Sequence, residues 1–143
     1  MEHRQLEICC DSFESAQTAA AAGADRIELC VDLPVDGLTP PTELLREVKA
    51  GVGIPVFVLV RCRPGGFVFT DAELGTMLDE ISALRDCGAD GIVSGALRDD
   101  DSIDTAAAEQ LVEAAGGLPF TFHKAFDACV DRKQGMEVLV ELG

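Results

Sequence analysis

The sequence predicts an α/β fold, a parallel (βα)8 barrel of the TIM type of which about five βα units are present, forming a single partial barrel domain over residues 1–143. The first observation behind this is an internal repeat. Gly23-Ala24-Asp25-Arg26-Ile27 returns as Gly88-Ala89-Asp90-Gly91-Ile92, a shift of 65 positions. Gly53-Ile54-Pro55-Val56-Phe57-Val58 returns as Gly117-Leu118-Pro119-Phe120-Thr121-Phe122, a shift of 64. Two different strand–helix joints thus recur at nearly one spacing. The second observation is that short β patterns alternate with helical ones, which calls for parallel strands and right-handed crossovers. The third is that no GxGxxG or P-loop follows the first strand pattern, which counts against a doubly wound nucleotide fold.

The elements follow in order. A strand pattern at residues 6–10 leads to a helix with Asp11 as its cap, Glu14 three residues on, and Gly23 beyond its end. A second strand at 26–30 precedes a helix expected to start at Thr39, with Pro40 in its first position and Gly51 at its end. The third strand, 56–61, is followed by a helix capped by Thr70 with Glu73 and closed by Gly88. The fourth strand, 91–94, gives way to a helix between Asp104 and Gly116. A fifth, 120–123, is followed by a helix opened by Asp131 with Gln134 and reaching Gly143. A closed barrel has eight strands, so the chain reads as C-terminally truncated. Open sheet edges and an uncovered last helix predict a self-associating chain or homo-oligomer.

Composition narrows the partners. Hydrophobic residues make up 48% and charged residues 26% of the chain, which excludes a disordered polymer. A net charge of −15 repels phosphate backbones and anionic lipid, so neither a nucleic acid nor a membrane is expected as partner. No apolar run is long enough to span a bilayer and no secretory leader is visible, so a cytoplasmic protein is expected. The six cysteines (Cys9, Cys10, Cys30, Cys62, Cys87 and Cys129) then read as free thiols or metal ligands, and no CxxC pair supports structural zinc.

Strand alternation sorts side chains by face. Leu6, Ile8 and Cys10, with Ile27, Leu29, Val56, Val58, Val60, Phe120 and Phe122, belong against the helices. The opposite faces bring Glu7, Cys9, Arg26, Glu28, Cys30, Arg61, Thr121 and His123 into the barrel, and Arg63 continues the third strand's inner set. One account is an ion-pair network filling the interior. The other is functional, because Cys30, Arg61, Arg63 and His123 fall at C-terminal strand ends, where barrels place their sites.

Those residues carry a resemblance to a known family. LEICCDSFESA from Leu6, AGADRIELC from Ala22, GLTPP from Gly37, IPVFVLVRCR from Ile54, GADGIVSGAL from Gly88 and FTFHKAFD from Phe120 together resemble the copper homeostasis protein CutC family. The resemblance implies a TIM-type barrel lacking its last third. It also implies a Cu(I) site at Cys9 and Cys30, on which the family's proposed copper ligands fall. The inner-face residues and the two matching motifs together give an expected ligand-binding set of Glu7, Arg26, Glu28, Arg61, Arg63, His123, Lys124 and Asp127. The family pattern R-P-R-G-G-D-F stands here as Arg61-Cys62-Arg63-Pro64-Gly65-Gly66-Phe67, with Gly66 at the aspartate position. H-R-A-F-D stands as His123-Lys124-Ala125-Phe126-Asp127, which exchanges a guanidinium fork for a point charge. These departures bear on anion binding more than on copper.

Thiolates are soft donors that select Cu(I), and Arg26 and Arg61 are expected to favour the thiolate forms of Cys9 and Cys30. Burial as small hydrophobes is the competing account of both cysteines. A second function class stays open: a TIM-barrel enzyme acting on a small anionic metabolite, with His123 as general base, Glu28 or Glu7 setting its charge and Arg61 holding the anion. Cys62, Cys87 and Cys129 read as incidental, and Met77 and Met136 as core. Met1-Glu2-His3 matches a square-planar Cu(II) or Ni(II) chelate, a match that also arises by chance.

Overall fold

The computed structural model describes residues 4–143. Five parallel strands, β1 (Glu7–Cys10), β2 (Arg26–Leu29), β3 (Val56–Leu59), β4 (Gly91–Ser94) and β5 (Phe120–Phe122), stand side by side in chain order. One helix follows each strand: α1 (Phe13–Ala21), α2 (Thr42–Gly51), α3 (Asp71–Asp86), α4 (Thr105–Ala115) and α5 (Arg132–Leu142). A strand order that never reverses is the wall of a TIM-type barrel, whereas a doubly wound sheet switches direction.

Two apolar layers flank the wall. Ile27, Leu29, Val56, Val58, Val60 and Ile92 pack outward against Leu45 and Val48 of α2, Met77, Ile81 and Leu84 of α3, and Leu111 of α4. Cys30, Phe57, Leu59 and Val93 form a smaller cluster on the inner side. The division follows the alternation read from the sequence. Met77 is core as expected; Met136 on α5 is exposed.

The repeat has a physical purpose at the N-terminal rim of the wall. The Leu6 amide donates to Asp25 Oδ2 at 2.7 Å, and the Asp25 amide donates to the Leu6 carbonyl at 2.9 Å. The Val56 amide likewise donates to Asp90 Oδ2 at 2.8 Å, and the Asp90 amide to the Val56 carbonyl at 2.9 Å. Each Gly-Ala-Asp copy thus clamps the start of the preceding strand to the strand it opens.

Helix starts differ from expectation at two places. Ser12, not Asp11, caps α1: its Oγ accepts from the Ser15 amide at 3.1 Å and Ser15 Oγ accepts from the Ser12 amide at 3.1 Å. Glu14 lies in the first turn, where it complements the helix dipole. The second helix begins at Thr42 behind Pro41, so neither Thr39 nor Pro40 fills its expected place. Thr39 is used as a bridge instead, its hydroxyl accepting from the Arg61 amide at 2.9 Å and donating to Glu80 at 2.7 Å. Gly51 lies within the last turn of α2, where the Phe13 ring packs over it. Thr70 with Glu73 forms the expected capping box. Asp104 and Asp131 cap as expected, accepting from Ala107 and Gln134.

The edges of the described sheet are β1 and β5. Leu6 (51% exposed) and Ile8 (36%) lie open along β1, and they share an apolar groove with Cys10, Ala19, Ala22 and Ala24. Among the described residues no helix is long and apolar enough to cross a membrane.

Candidate functional site

At the C-terminal ends of the strands a cavity of about 290 Å³ opens on the inner face. Of the residues expected there, Cys9, Glu28, Arg61, Thr121, His123 and Lys124 line it. Asp36, Leu59, Phe67 and Val93 line it too and were not singled out in the sequence. Leu59 and Val93 are legible as inward strand positions. Asp36 and Phe67 come from loops, where no periodicity applies.

The loop after β2 is shaped by Asp32 and Asp36, both in the left-handed region (φ 54° and 71°), which aspartate tolerates better than most residues. The turn carries the Asp36 carboxylate to Lys124 Nζ at 2.8 Å. Lys124 depresses the Asp36 pKa, with a smaller contribution from Arg61.

Arg61 is the buried hub of the mouth, only 3% exposed. Its Nη1 donates to the carbonyls of Val35 (2.7 Å) and Gly37 (3.1 Å), and its Nη2 to that of Gly65 (2.6 Å). One side chain therefore fastens the loop after β2 to the loop after β3. Its Nε–H is buried and has no partner among the described residues.

His123 follows β5, and its amide donates to the Ser94 carbonyl at 3.1 Å. Its Nδ1 accepts from the Ala125 amide at 3.1 Å, which puts the proton of the neutral ring on Nε2. Nε2 is buried without a partner. Burial, and next the Arg61 charge, lower the His123 pKa to about 4. The ring is thus held as a neutral hydrogen-bond donor, which is poorly suited to the general-base role expected for it. Phe67 covers this corner: its ring centroid is 5.1 Å from that of His123 and 5.3 Å from Arg61 Cζ.

Three further members of the expected set point elsewhere. Arg26 pairs with Glu7 and lies 4.0 Å above the Phe57 ring, in the interior below the mouth. Arg63 leaves the inner face, because regular β structure ends at Leu59 and the chain turns at Pro64. Its guanidinium is taken up by Glu73 (2.6 Å) and by the carbonyls of Gly66 (2.9 Å) and Val68 (2.5 Å). Asp127 sits in a short 3-10 turn, Lys124–Ala128, and its carbonyl accepts from Arg132 at 2.9 Å. Neither Arg63 nor Asp127 lines the cavity.

Cys9 and Cys30 meet at the cavity's edge. Cys9 stands opposite Glu28 in the β1–β2 register, and the Cys30 amide donates to the Cys10 carbonyl at 3.0 Å. The two Sγ atoms are 3.6 Å apart as free thiols. The hydrogen bond from Cys30 lowers the Cys9 pKa, and the same bond together with burial raises that of Cys30. The charges that act on Cys9 are the carboxylates of Glu28, Asp11 and Glu7, which oppose ionisation; the arginine assistance expected from the sequence is not what favours the Cys9 thiolate. Burial, then the Glu7 carboxylate, also raise the Glu28 pKa.

Cys10 faces the outer core, away from the pair, and Cys62, Cys87 and Cys129 are not part of the mouth. Among the described residues no group of three or more His, Cys, Asp or Glu side chains is assembled for a metal ion. What is assembled is a two-sulfur donor set, a chemistry that matches Cu(I) better than a hard divalent ion. The amino-terminal Met1-Glu2-His3 lies outside the described residues.

Comparison with known proteins agrees with this architecture. The model of the CutC family matches residues 4–143. Family protein CutC of Pasteurella multocida (strain Pm70) is 44% identical over 139 residues, covering 97% of this chain and 57% of that protein. Family protein CutC of Histophilus somni (strain 2336) is 44% identical over 138 residues, 96% of this chain and 57% of that protein. The chain therefore spans little more than half the length of these relatives. A crystal structure described as a copper homeostasis protein CutC, from Streptococcus agalactiae, superposes with a TM-score of 0.90 at 36% identity, covering 98% of this chain and 70% of that one. A phosphonopyruvate hydrolase structure superposes with a TM-score of 0.66 at 14% identity, covering 98% and 56%, a likeness of fold alone. With its motifs, its strand order and its family match over residues 4–143 in agreement, this chain belongs to the CutC family.

Proposed function

We propose that this chain takes part in copper homeostasis by holding Cu(I) between the sulfurs of Cys9 and Cys30. The observation that carries the reading is the 3.6 Å separation of the two Sγ atoms at the rim of the mouth cavity. Two sulfurs suffice for a low-coordinate monovalent soft ion. Cys9 is exposed and is the thiol that ionises first, so it receives the ion; Cys30, buried behind it, gives up its proton as the metal replaces the hydrogen bond. Membership in a family with a solved member described as a copper homeostasis protein supports the same reading. No catalytic step is assigned to His123, Glu28 or Arg61.

Competition against a chromogenic Cu(I) chelator tests the reading. Cys9→Ser and Cys30→Ser should each weaken Cu(I) binding severely, and Cys87→Ser should leave it unchanged. Equal affinity in all three variants would overturn it.

A further inference from the structure

Two donors in one corner of the mouth are left without acceptors. The Arg61 Nε–H and the His123 Nε2–H are both shut off from water and both unpartnered. A buried donor left unsatisfied is costly, and such groups in a folded protein call for an explanation. Two of them under one aromatic ring, Phe67, are a pair with a common cause.

Charge narrows that cause. Lys124 is paired with Asp36, and Arg26 with Glu7. Arg61 makes no ion pair among the described residues; its two Nη atoms are engaged by neutral carbonyls. Asp36, which feels the Arg61 charge, is already paired with Lys124, and a buried guanidinium is costly unless a negative charge stands beside it. His123 can only donate from Nε2, because Nδ1 is occupied by the Ala125 amide. The missing partner is therefore a hydrogen-bond acceptor, suited by negative charge to Arg61, and small enough for a cavity of about 290 Å³.

We propose that the mouth cavity binds a small carboxylate ion, whose oxygens accept from Arg61 Nε and His123 Nε2 beneath Phe67. The site uses none of Cys62, Pro64, Gly66 and Lys124, the positions at which the two motifs depart from their family pattern. Phe67, whose ring lies over both groups, is the side chain a bound ligand displaces, while the Leu97 amide holds its carbonyl at 2.8 Å. A carboxylate fits better than phosphate: the latter is divided between mono- and dianion at neutral pH, and the dianion would face Asp36 and Glu28, which also line the cavity.

The test titrates sodium acetate into the chain labelled with 15N-histidine, with sodium phosphate and sodium chloride at matched ionic strength as the other arms. Acetate should displace the His123 Nε2–H resonance saturably, while chloride and phosphate leave it in place. Calorimetry should show acetate binding lost in His123→Phe, which fills the ring's space without its donor, and retained in Cys87→Ser, which lies outside the cavity. No displacement by acetate beyond that of chloride would overturn the proposal in the wild-type chain, whatever the variants do. A stronger response to phosphate than to acetate overturns the assignment to a carboxylate, and unchanged acetate binding in a folded His123→Phe variant overturns the role given to that ring.

Discussion

Phe57 and Gly91 face one another across β3 and β4, and a Cβ built on Gly91 would stand 2.6 Å from the Phe57 ring. The ring is pinned from another side by Arg26, whose Cζ is 4.0 Å from its centroid. A guanidinium, an aromatic ring and a bare backbone thus pack against one another inside the wall.

Gly91→Ala should therefore destabilise the chain by about 1–3 kcal/mol, the usual cost of overfilling a packed interior. Phe57→Leu in the same chain should recover part of the loss, so the two substitutions will not add. Urea denaturation of the two single variants and the double variant measures this; full additivity would show that the ring and the glycine do not compete for space.

His123 predicts a pH dependence. Its pKa is about 4 in the folded chain against an ordinary 6.5, so the unfolded chain binds the proton more tightly. The sign follows: the contribution is fully present above pH 6.5 and is lost as pH falls from there toward 4. The full span corresponds to about 3 kcal/mol. Stability measured between neutral and mildly acidic pH should fall more steeply in the wild type than in His123→Phe. Parallel profiles would mean that the imidazole is not held neutral by the fold.

Cys9 should be the thiol that reacts first when compared with Cys10 and Cys62. Its pKa is lowered by the Cys30 hydrogen bond, whereas burial raises those of the other two. In the metal-free chain, alkylation by iodoacetamide followed by peptide mass spectrometry should show Cys9 modified at lower pH than either. Cys30→Ala should shift the Cys9 profile to higher pH. Earlier modification of Cys10 or Cys62 would contradict this ordering.

The open β1 edge predicts association of the 143-residue chain. Leu6 and Ile8 on that edge, and Val140 (72% exposed) on α5, offer apolar contact beside unpaired strand backbone. Light scattering should report a species larger than a monomer, and Ile8→Lys, a charge placed on the edge, should shrink it. A monodisperse wild-type monomer would show that the edge is sufficiently protected.

Much of this was readable from residue spacing. Val56, Val58 and Val60 against Phe57 and Leu59 declare two faces, because a strand has a period of two whatever surrounds it. That logic fails where the strand ends: it sends Arg61 and Arg63 to the same side, but the turn at Pro64 takes Arg63 out to Glu73. Capping was ambiguous between neighbours, since Asp11 and Ser12 are both suitable acceptors and only the reciprocal bond with Ser15 decides. Phe67 and Asp36 were beyond reach because loops position side chains by particular backbone angles and long-range hydrogen bonds. The unpartnered donors could not be anticipated at all, because a donor's partners are known only when every neighbour is in place.

The Asp25 and Asp90 clamps have a consequence for how freely this protein can change. Both fix strand alignment at the rim opposite the cavity, at Leu6 and Val56. Alignment is thus settled far from Arg61, His123 and the cysteine pair, and does not depend on what occupies them. A population of variants altered only at the mouth would keep both clamps, while one altered at either aspartate would lose a clamp before chemistry was ever tried. Such a scaffold can exchange one ligand for another over generations without first becoming a different fold.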